Sequence, residues 1–442
     1  MRAKPVSLLC LLAILACHGH KPAEVSKLNW LSDLDDATAI SKKGGKRMIL
    51  EVSTEWCPGC QFMEEKVFTA ADVAKRLDGF VLVRQDGDKP ATQALMDKYA
   101  ISGYPTFVIF APAGEELARF NSLNSAEEFV KILDELDSDL PGHKELTEAK
   151  KYLTADDIEK AAPLLKAARE KIAVDDPKLE DVLNGLLECS KGDQKEVSAV
   201  AHELIDRFPN SVRLPDYYKK LADTFQSSIA LKRHYLETAA RLIEKDIDGW
   251  VSLSETARRV TAEEYTDLLA EIYKDVGQYS KVASVYGRGA ELCERLIEEG
   301  GGLANNRYLI TAVAYYYTNA DEVKRAMKFL KKAQDEVPDY WPVYSGLAKT
   351  SAASGDFQGA LVFAKKAYDL AEEVAKPRVA LVWADIYAGN GYYDGAISVI
   401  KQAEEDIRKT GSTDAGRSKK IFKQLQDRRE EYERQLLYCR QG

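Results

Sequence analysis

An N-terminal α/β domain followed by an all-α solenoid of paired helices is the architecture encoded in this 442-residue chain, on three grounds. Before Pro141-Gly142, short apolar runs such as Met48-Ile49-Leu50 and Phe107-Val108-Ile109-Phe110 alternate with segments of helical spacing. After that pair the β signal does not return, and residues 144–438 read as helix after helix. Within this helical region a single motif recurs at spacings of 44, 34 and 36 residues, as stacked helical pairs require. The chain is too long for a single core, so at least two domains are expected. An apolar content of 45% and a charged content of 30% belong to a soluble globular protein. The net charge of −9 argues against nucleic acid or an anionic lipid surface as the main partner.

Residues 1–16 read as a signal peptide. Arg2 and Lys4 precede an apolar run from Val6 to Ala16, which is too short to span a bilayer. The run ends Ile14-Leu15-Ala16-Cys17, which resembles a bacterial lipobox, with Cys17 as the acylated residue. An ordinary secretory signal with an incidental cysteine is the alternative. Residues 17–24 form a tether, and the histidines of Cys17-His18-Gly19-His20 are too loosely held there for a metal site. The expected protein is exported, periplasmic and attached to the membrane through a lipid anchor only. Export places Cys57 and Cys60 where disulfides persist. Cys189, Cys293 and Cys439 are scattered and odd in number, as expected of small buried hydrophobes rather than of a disulfide framework.

The α/β domain occupies residues 25–140. Ser32 to Asp35 supplies a capping-box start for a helix carrying Leu34, Ala37 and Ile40, which Gly44-Gly45 stops. Arg47 to Ser53 is a strand. Thr69 to Asp72 restarts a helix through Leu77, and Asp78-Gly79 turns into the strand Phe80 to Val83. A short helix around Thr92 to Tyr99 precedes the loop Gly103-Tyr104-Pro105. The strands Thr106 to Phe110 and Glu116 to Phe120 are joined by Pro112-Ala113-Gly114. Ser125 to Glu128 caps a last helix bearing Phe129, Ile132, Leu133 and Leu136.

Residues 141–442 form the solenoid. Leu269-Ala270-x-x-Tyr273, Val313-Ala314-x-x-Tyr317, Leu347-Ala348-x-x-Ser351 and Trp383-Ala384-x-x-Tyr387 align. Twelve residues after each alanine stands Val282, Ala326, Ala360 or Ala396, and four further on Tyr286, Leu330, Ala364 or Ile400. A small residue lets the two helices of a pair approach, and an aromatic fills the groove between pairs. This spacing resembles tetratricopeptide repeats. Gly300-Gly301-Gly302 reads as a loop insertion in the long first spacing. The register over 145–250 is weaker, with Leu221-Ala222-x-x-Phe225 and a helix end at Phe208-Pro209. The charged stretch Ser418 to Tyr438 resembles the polar cap that a solenoid requires.

The chemistry centres on Trp56-Cys57-Pro58-Gly59-Cys60. A strand ends near Glu51, the two cysteines follow at a helix start, and Gly103-Tyr104-Pro105 leads into another strand. This order resembles the thioredoxin superfamily over residues 25–138, and Trp-Cys-x-x-Cys with Met63-Glu64 and Val67-Phe68 is most similar to the periplasmic branch containing the C-terminal domain of DsbD. A thiolate attacks a disulfide, and a helix start at Pro58 gives Cys57 the free amides and positive dipole end that favour one. Cys60, one turn in, is placed to resolve the mixed disulfide. The resemblance implies a cis proline at Pro105 opposite the cysteines, with Trp56, Tyr104 and Pro105 at the client contact. It also puts Glu51 at the buried carboxylate position, to take the Cys60 proton; the family often has the shorter Asp there.

Other uses of Cys-x-x-Cys fit less well. A zinc site lacks a second pair, and haem attachment needs histidine where Gln61 stands, so no metal or cofactor is expected. The predicted function is an exported thiol–disulfide oxidoreductase whose helical repeats bind protein clients, with a separate redox partner protein. The rival is a repeat scaffold in which the α/β domain is structural or regulatory. The six-residue break Ser138 to His143 makes the two domains close neighbours.

Overall fold

The computed structural model describes residues 28–441 apart from 122, 137–139, 191, 373–374 and 410–415. The signal, the tether and Cys17 lie outside the described residues. No helix among the described residues is long and apolar enough to cross a membrane.

The N-terminal domain is built from β1 (Trp30–Leu31), α1 (Leu34–Gly44), β2 (Met48–Ser53), α2 (Pro58–Phe62), α3 (Ala71–Leu77), β3 (Val81–Asp86), α4 (Pro90–Lys98), β4 (Thr106–Phe110), β5 (Glu116–Phe120) and α5 (Ala126–Glu135). A single wide turn of π-helix, Met63–Val67, continues α2. The sheet order is β1-β3-β2-β4-β5, with β1, β3 and β2 parallel and β4 and β5 antiparallel. Alternation along β2 assigns its two faces. Met48, Leu50 and Val52 enter one core with Ala37, Val83 and Met96. Ile49 enters the other with Phe62, Met63, Phe107 and Phe129. Glu51 shares the face of Ile49, which is the face that carries α2.

Three local readings change. Asp33, not Ser32, caps α1 by accepting the Asp36 N–H at 2.9 Å. Ile40, expected on the apolar face, is 49% exposed, because Ala37 and Ser41 already fill that face. β3 runs to Asp86 rather than stopping at Val83, since β2 pairs with Arg84, Gln85 and Asp86.

Beyond His143 the described chain is helical. The repeat helices pack as consecutive pairs: Thr266–Asp275 with Tyr279–Glu299, Ile310–Asn319 with Val323–Glu336, Trp341–Ala353 with Phe357–Leu370, and Lys376–Gly389 with Tyr393–Lys409. Ala270, Ala314, Ala348 and Ala384 are buried where the helices approach, and so are Ala326, Ala360 and Ala396. The fold is a thioredoxin-like domain followed by a tetratricopeptide-like solenoid. Gly416–Gln441 packs on the last pair through Leu425 and Tyr432. Cys293 is buried as expected, but Cys189 is half-buried and Cys439 is exposed near the end of that last helix.

The two domains are packed together. A continuous buried cluster runs from Ile49 and Phe107 through Phe62 to Tyr308, Leu309 and Ile310 of the solenoid. Arg259 lies 3.5 Å from the Phe62 ring centre and donates to the Leu123 carbonyl at 3.0 Å. Lys66 donates to the carbonyl of Gly300 at 3.1 Å, so the triple-glycine insertion serves the contact between the domains. Arg307 pairs with Glu65 at 2.9 Å.

Candidate active site

Cys57 is the N-cap of α2, and Pro58 occupies its first turn, where a missing N–H costs nothing. The Cys57 sulfur accepts the Cys60 N–H at 3.4 Å and points its thiol at the Tyr104 carbonyl oxygen at 3.3 Å. The Tyr104–Pro105 peptide is cis. Tyr104 is fixed by its hydroxyl, which donates to the Gly87 carbonyl at 2.7 Å; a side chain at Gly87 would collide with the Tyr104 ring. Both cysteines are free thiols and only 6% exposed.

Glu51 is 1% exposed, in register with Arg84 on β3. Arg84 Nε donates to Glu51 at 2.6 Å, its Nη2 donates to Glu64 at 2.6 Å, and its guanidinium lies 4.4 Å from the Trp30 ring centre. Burial pushes the Glu51 carboxyl up to about 7, against the opposing pull of Arg84. Burial also raises the Cys60 thiol, and the neighbouring Cys57 adds to that. Glu51, Cys60 and Arg84 line one cavity of about 500 Å³, to which the solenoid contributes Arg307 and Glu372. A carboxyl that burial pushes up to about 7 therefore shares a cavity with the Cys60 thiol.

Trp56 is half-buried. Its indole N–H donates to Asp88 at 2.7 Å, and the Arg378 guanidinium of the solenoid lies 4.3 Å from its ring centre. Burial pushes the Asp88 carboxyl up to about 7. The structure thus brings Glu51, Trp56, Cys57, Cys60, Tyr104 and Pro105 into one neighbourhood. Sequence reasoning missed Arg84, Asp88, Gln61, Tyr340 and Arg378. The only signal for Arg84 was a cation directly after the apolar strand run Phe80 to Val83. The solenoid residues carried none.

The fold and the site are those of a thioredoxin-like domain, and residues 34–137 match the family described as thioredoxin-like domain. Among curated proteins, thiol:disulfide interchange protein DsbD 1 of Pseudomonas aeruginosa is 35% identical over 97 residues, which are 22% of this chain and 16% of that relative's length. A thioredoxin from Thermus thermophilus is similar at 31% identity over 25% of this chain and 86% of that one, with a TM-score of 0.23. A tetratricopeptide repeat protein from Parabacteroides merdae covers 64% of this chain and 96% of its own at 14% identity and a TM-score of 0.37.

Proposed function

We propose that the protein is an exported thiol–disulfide oxidoreductase in which Cys57 is the nucleophile, Cys60 the resolving thiol and Glu51 the proton acceptor. The observation that carries this reading is a Cys57–Cys60 dithiol at a helix start whose second thiol, Cys60, shares a cavity with the buried Glu51 carboxyl, pushed by burial up to about 7. In the reducing direction the Cys57 thiolate attacks one sulfur of a client disulfide, the client S–S bond breaks, and one client thiolate leaves. Cys60 passes its proton to ionised Glu51 and attacks the Cys57 sulfur, and the second client thiolate leaves. The client gains two electrons and the Cys57–Cys60 disulfide holds the loss until a redox partner protein restores the dithiol. The oxidising direction runs the same steps backwards. The Tyr104 backbone beside Cys57 offers the client chain an edge, with Trp56 and Pro105 flanking it. The solenoid binds the client protein, and acylated Cys17 anchors the whole to a membrane.

The test is trapping. Full-length Cys60→Ala should accumulate mixed disulfides on Cys57 in the exported fraction, and Cys57→Ala should accumulate few. Packing of the domain against the solenoid favours the second reading, a scaffold with a structural thioredoxin-like module. Full disulfide exchange by both variants would remove the redox assignment and leave that scaffold.

A further inference from the structure

Four solenoid residues, each at or just before the first helix of a successive pair, reach the active-site segment of the thioredoxin-like domain. Arg259 and Arg307 stand ahead of the first two pairs, Tyr340 caps the third, and Arg378 lies in the first turn of the fourth. The first two hold the far end of the active-site helix, through Phe62 and Glu65. Tyr340 meets Gln61 beside Cys60 on the same helix, and Arg378 meets Trp56 in the loop before it.

The Tyr340 hydroxyl donates to Gln61 Oε1 at 2.9 Å in a buried contact. Gln61, next to Cys60, donates its own amide N–H to the carbonyl of Glu55 at 2.6 Å. A chain of hydroxyl, amide and carbonyl thus runs from the solenoid edge to the residue two before Cys57. On the other side of the loop, Trp56 is held between the Asp88 carboxyl at its N–H and the Arg378 guanidinium against its ring. Beneath this clamp the Cys57 thiol is 6% exposed and spends its hydrogen on the Tyr104 carbonyl. A client sulfur must approach that thiol along the line of its own S–S bond, so the loop has to open before exchange.

We infer that Tyr340 and Arg378 are positioning residues of the redox site, through which the solenoid edge holds the Glu55–Cys57 loop closed over the nucleophile. The inference rests on the thiol–disulfide reading and adds to it that the reactive site is assembled from both domains. It also names the control point: a client that pulls on the edge at Tyr340 or Arg378 exposes Cys57. Gln61 and Tyr340 are both almost fully buried, so loss of the hydroxyl leaves Gln61 Oε1 unsatisfied in the closed state alone, and the equilibrium moves toward the open loop.

The test is the rate of Cys57 alkylation by iodoacetamide in the reduced full-length protein, read residue by residue by mass spectrometry. Tyr340→Phe should raise that rate by about fivefold or more, the factor set by one unsatisfied buried hydrogen-bonding group. Arg378→Gln should raise it in the same direction, and because its side chain is only half-buried it serves if Tyr340→Phe does not fold. Tyr316→Phe removes the hydroxyl of another buried tyrosine, one that donates to the Glu263 carbonyl at 2.7 Å, and should leave the Cys57 rate unchanged. An unchanged rate in a folded Tyr340→Phe or Arg378→Gln protein overturns the inference while the wild type still exchanges disulfides. A rise in Tyr316→Phe equal to that in Tyr340→Phe also overturns it, since the effect would then be general loosening. If wild-type Cys57 and Cys60 cannot be cycled between dithiol and disulfide, the thiol–disulfide reading falls and takes the inference with it.

Discussion

At Glu51, burial and an ion pair pull in opposite directions, and burial wins: the carboxyl titrates near 7 although Arg84 donates to it at 2.6 Å. The sign of the pH effect follows. Below the ordinary value of 4.5 folded and unfolded chains both hold the proton. Between 4.5 and 7 the unfolded chain has released it and the folded one keeps it, so folding binds a proton and stability falls as pH rises. The loss amounts to ~3 kcal/mol at most and is complete above the folded value. In urea unfolding from pH 4.5 to 8, Glu51→Gln should therefore flatten the decline seen in the wild type. Asp88 and other carboxyls raised by burial, such as Glu65, Asp216 and Glu263, contribute what slope remains. Equal slopes in the two proteins would remove Glu51 as the source. Glu51→Gln should also slow resolution of the mixed disulfide more than its formation, and remove the rise of the resolution rate through pH 7. Stopped-flow measurement of the two steps separates them. The buried carboxyl was legible in the sequence through the resemblance that puts Glu51 at the family's carboxylate position. Its partner was not, because Arg84-Gln85-Asp86 looks like the polar end of a strand, and only the register of β2 on β3 sets Arg84 beside Glu51.

The helices of the solenoid come close together where their residues are small, and one position measures how tightly. A Cβ on Gly289 would come within 2.3 Å of Thr266 Cγ2, and Thr266 is a short, branched and fully buried side chain with nowhere to turn. Alanine in mid-helix gains about 0.5–1 kcal/mol over glycine. The overlap costs about 1–3 kcal/mol. Gly289→Ala should thus lower stability by ~1–2 kcal/mol, visible as a reduced denaturant midpoint; a raised midpoint would mean that the pair can spread freely. At this scale most of the fold could be read from the chain. The alanines at 270, 314, 348 and 384 carry the repeat because backbone approach tolerates little else. Trp30–Leu31 went unread because two residues carry no periodicity, and its strand exists only through pairing with β3. The π turn at Met63–Val67 lies inside an ordinary helical pattern and has no composition of its own.

For the molecule as a whole, the continuous buried cluster from Ile49 through Phe62 to Ile310 joins what the sequence divides into two domains. Calorimetry should accordingly record one cooperative transition spanning the thioredoxin-like domain and the repeats that touch it. A separate melt of the N-terminal domain, unaffected by Phe62→Ala, would contradict this. Each half announced itself by its own periodicity. Their contact did not, because Arg259, Arg307, Tyr340 and Arg378 have the look of ordinary surface and loop residues until three of them meet α2 and its π turn and the fourth meets Trp56 just before it.

Those four contacts follow one another at the pitch of the repeats, and the triple glycine after Glu299 takes up the slack where the first spacing is longest. The solenoid therefore acts on the redox domain as a toothed rack acts on a wheel, with every tooth in phase. A repeat array ordinarily gains or loses a unit at little cost, since each unit meets only its neighbours. Here a unit added or deleted between Arg307 and Tyr340 would carry Tyr340 and Arg378 out of step with Gln61 and Trp56. The spacing from Arg307 to Arg378 is thus matched to the Trp56–Glu65 segment that it meets.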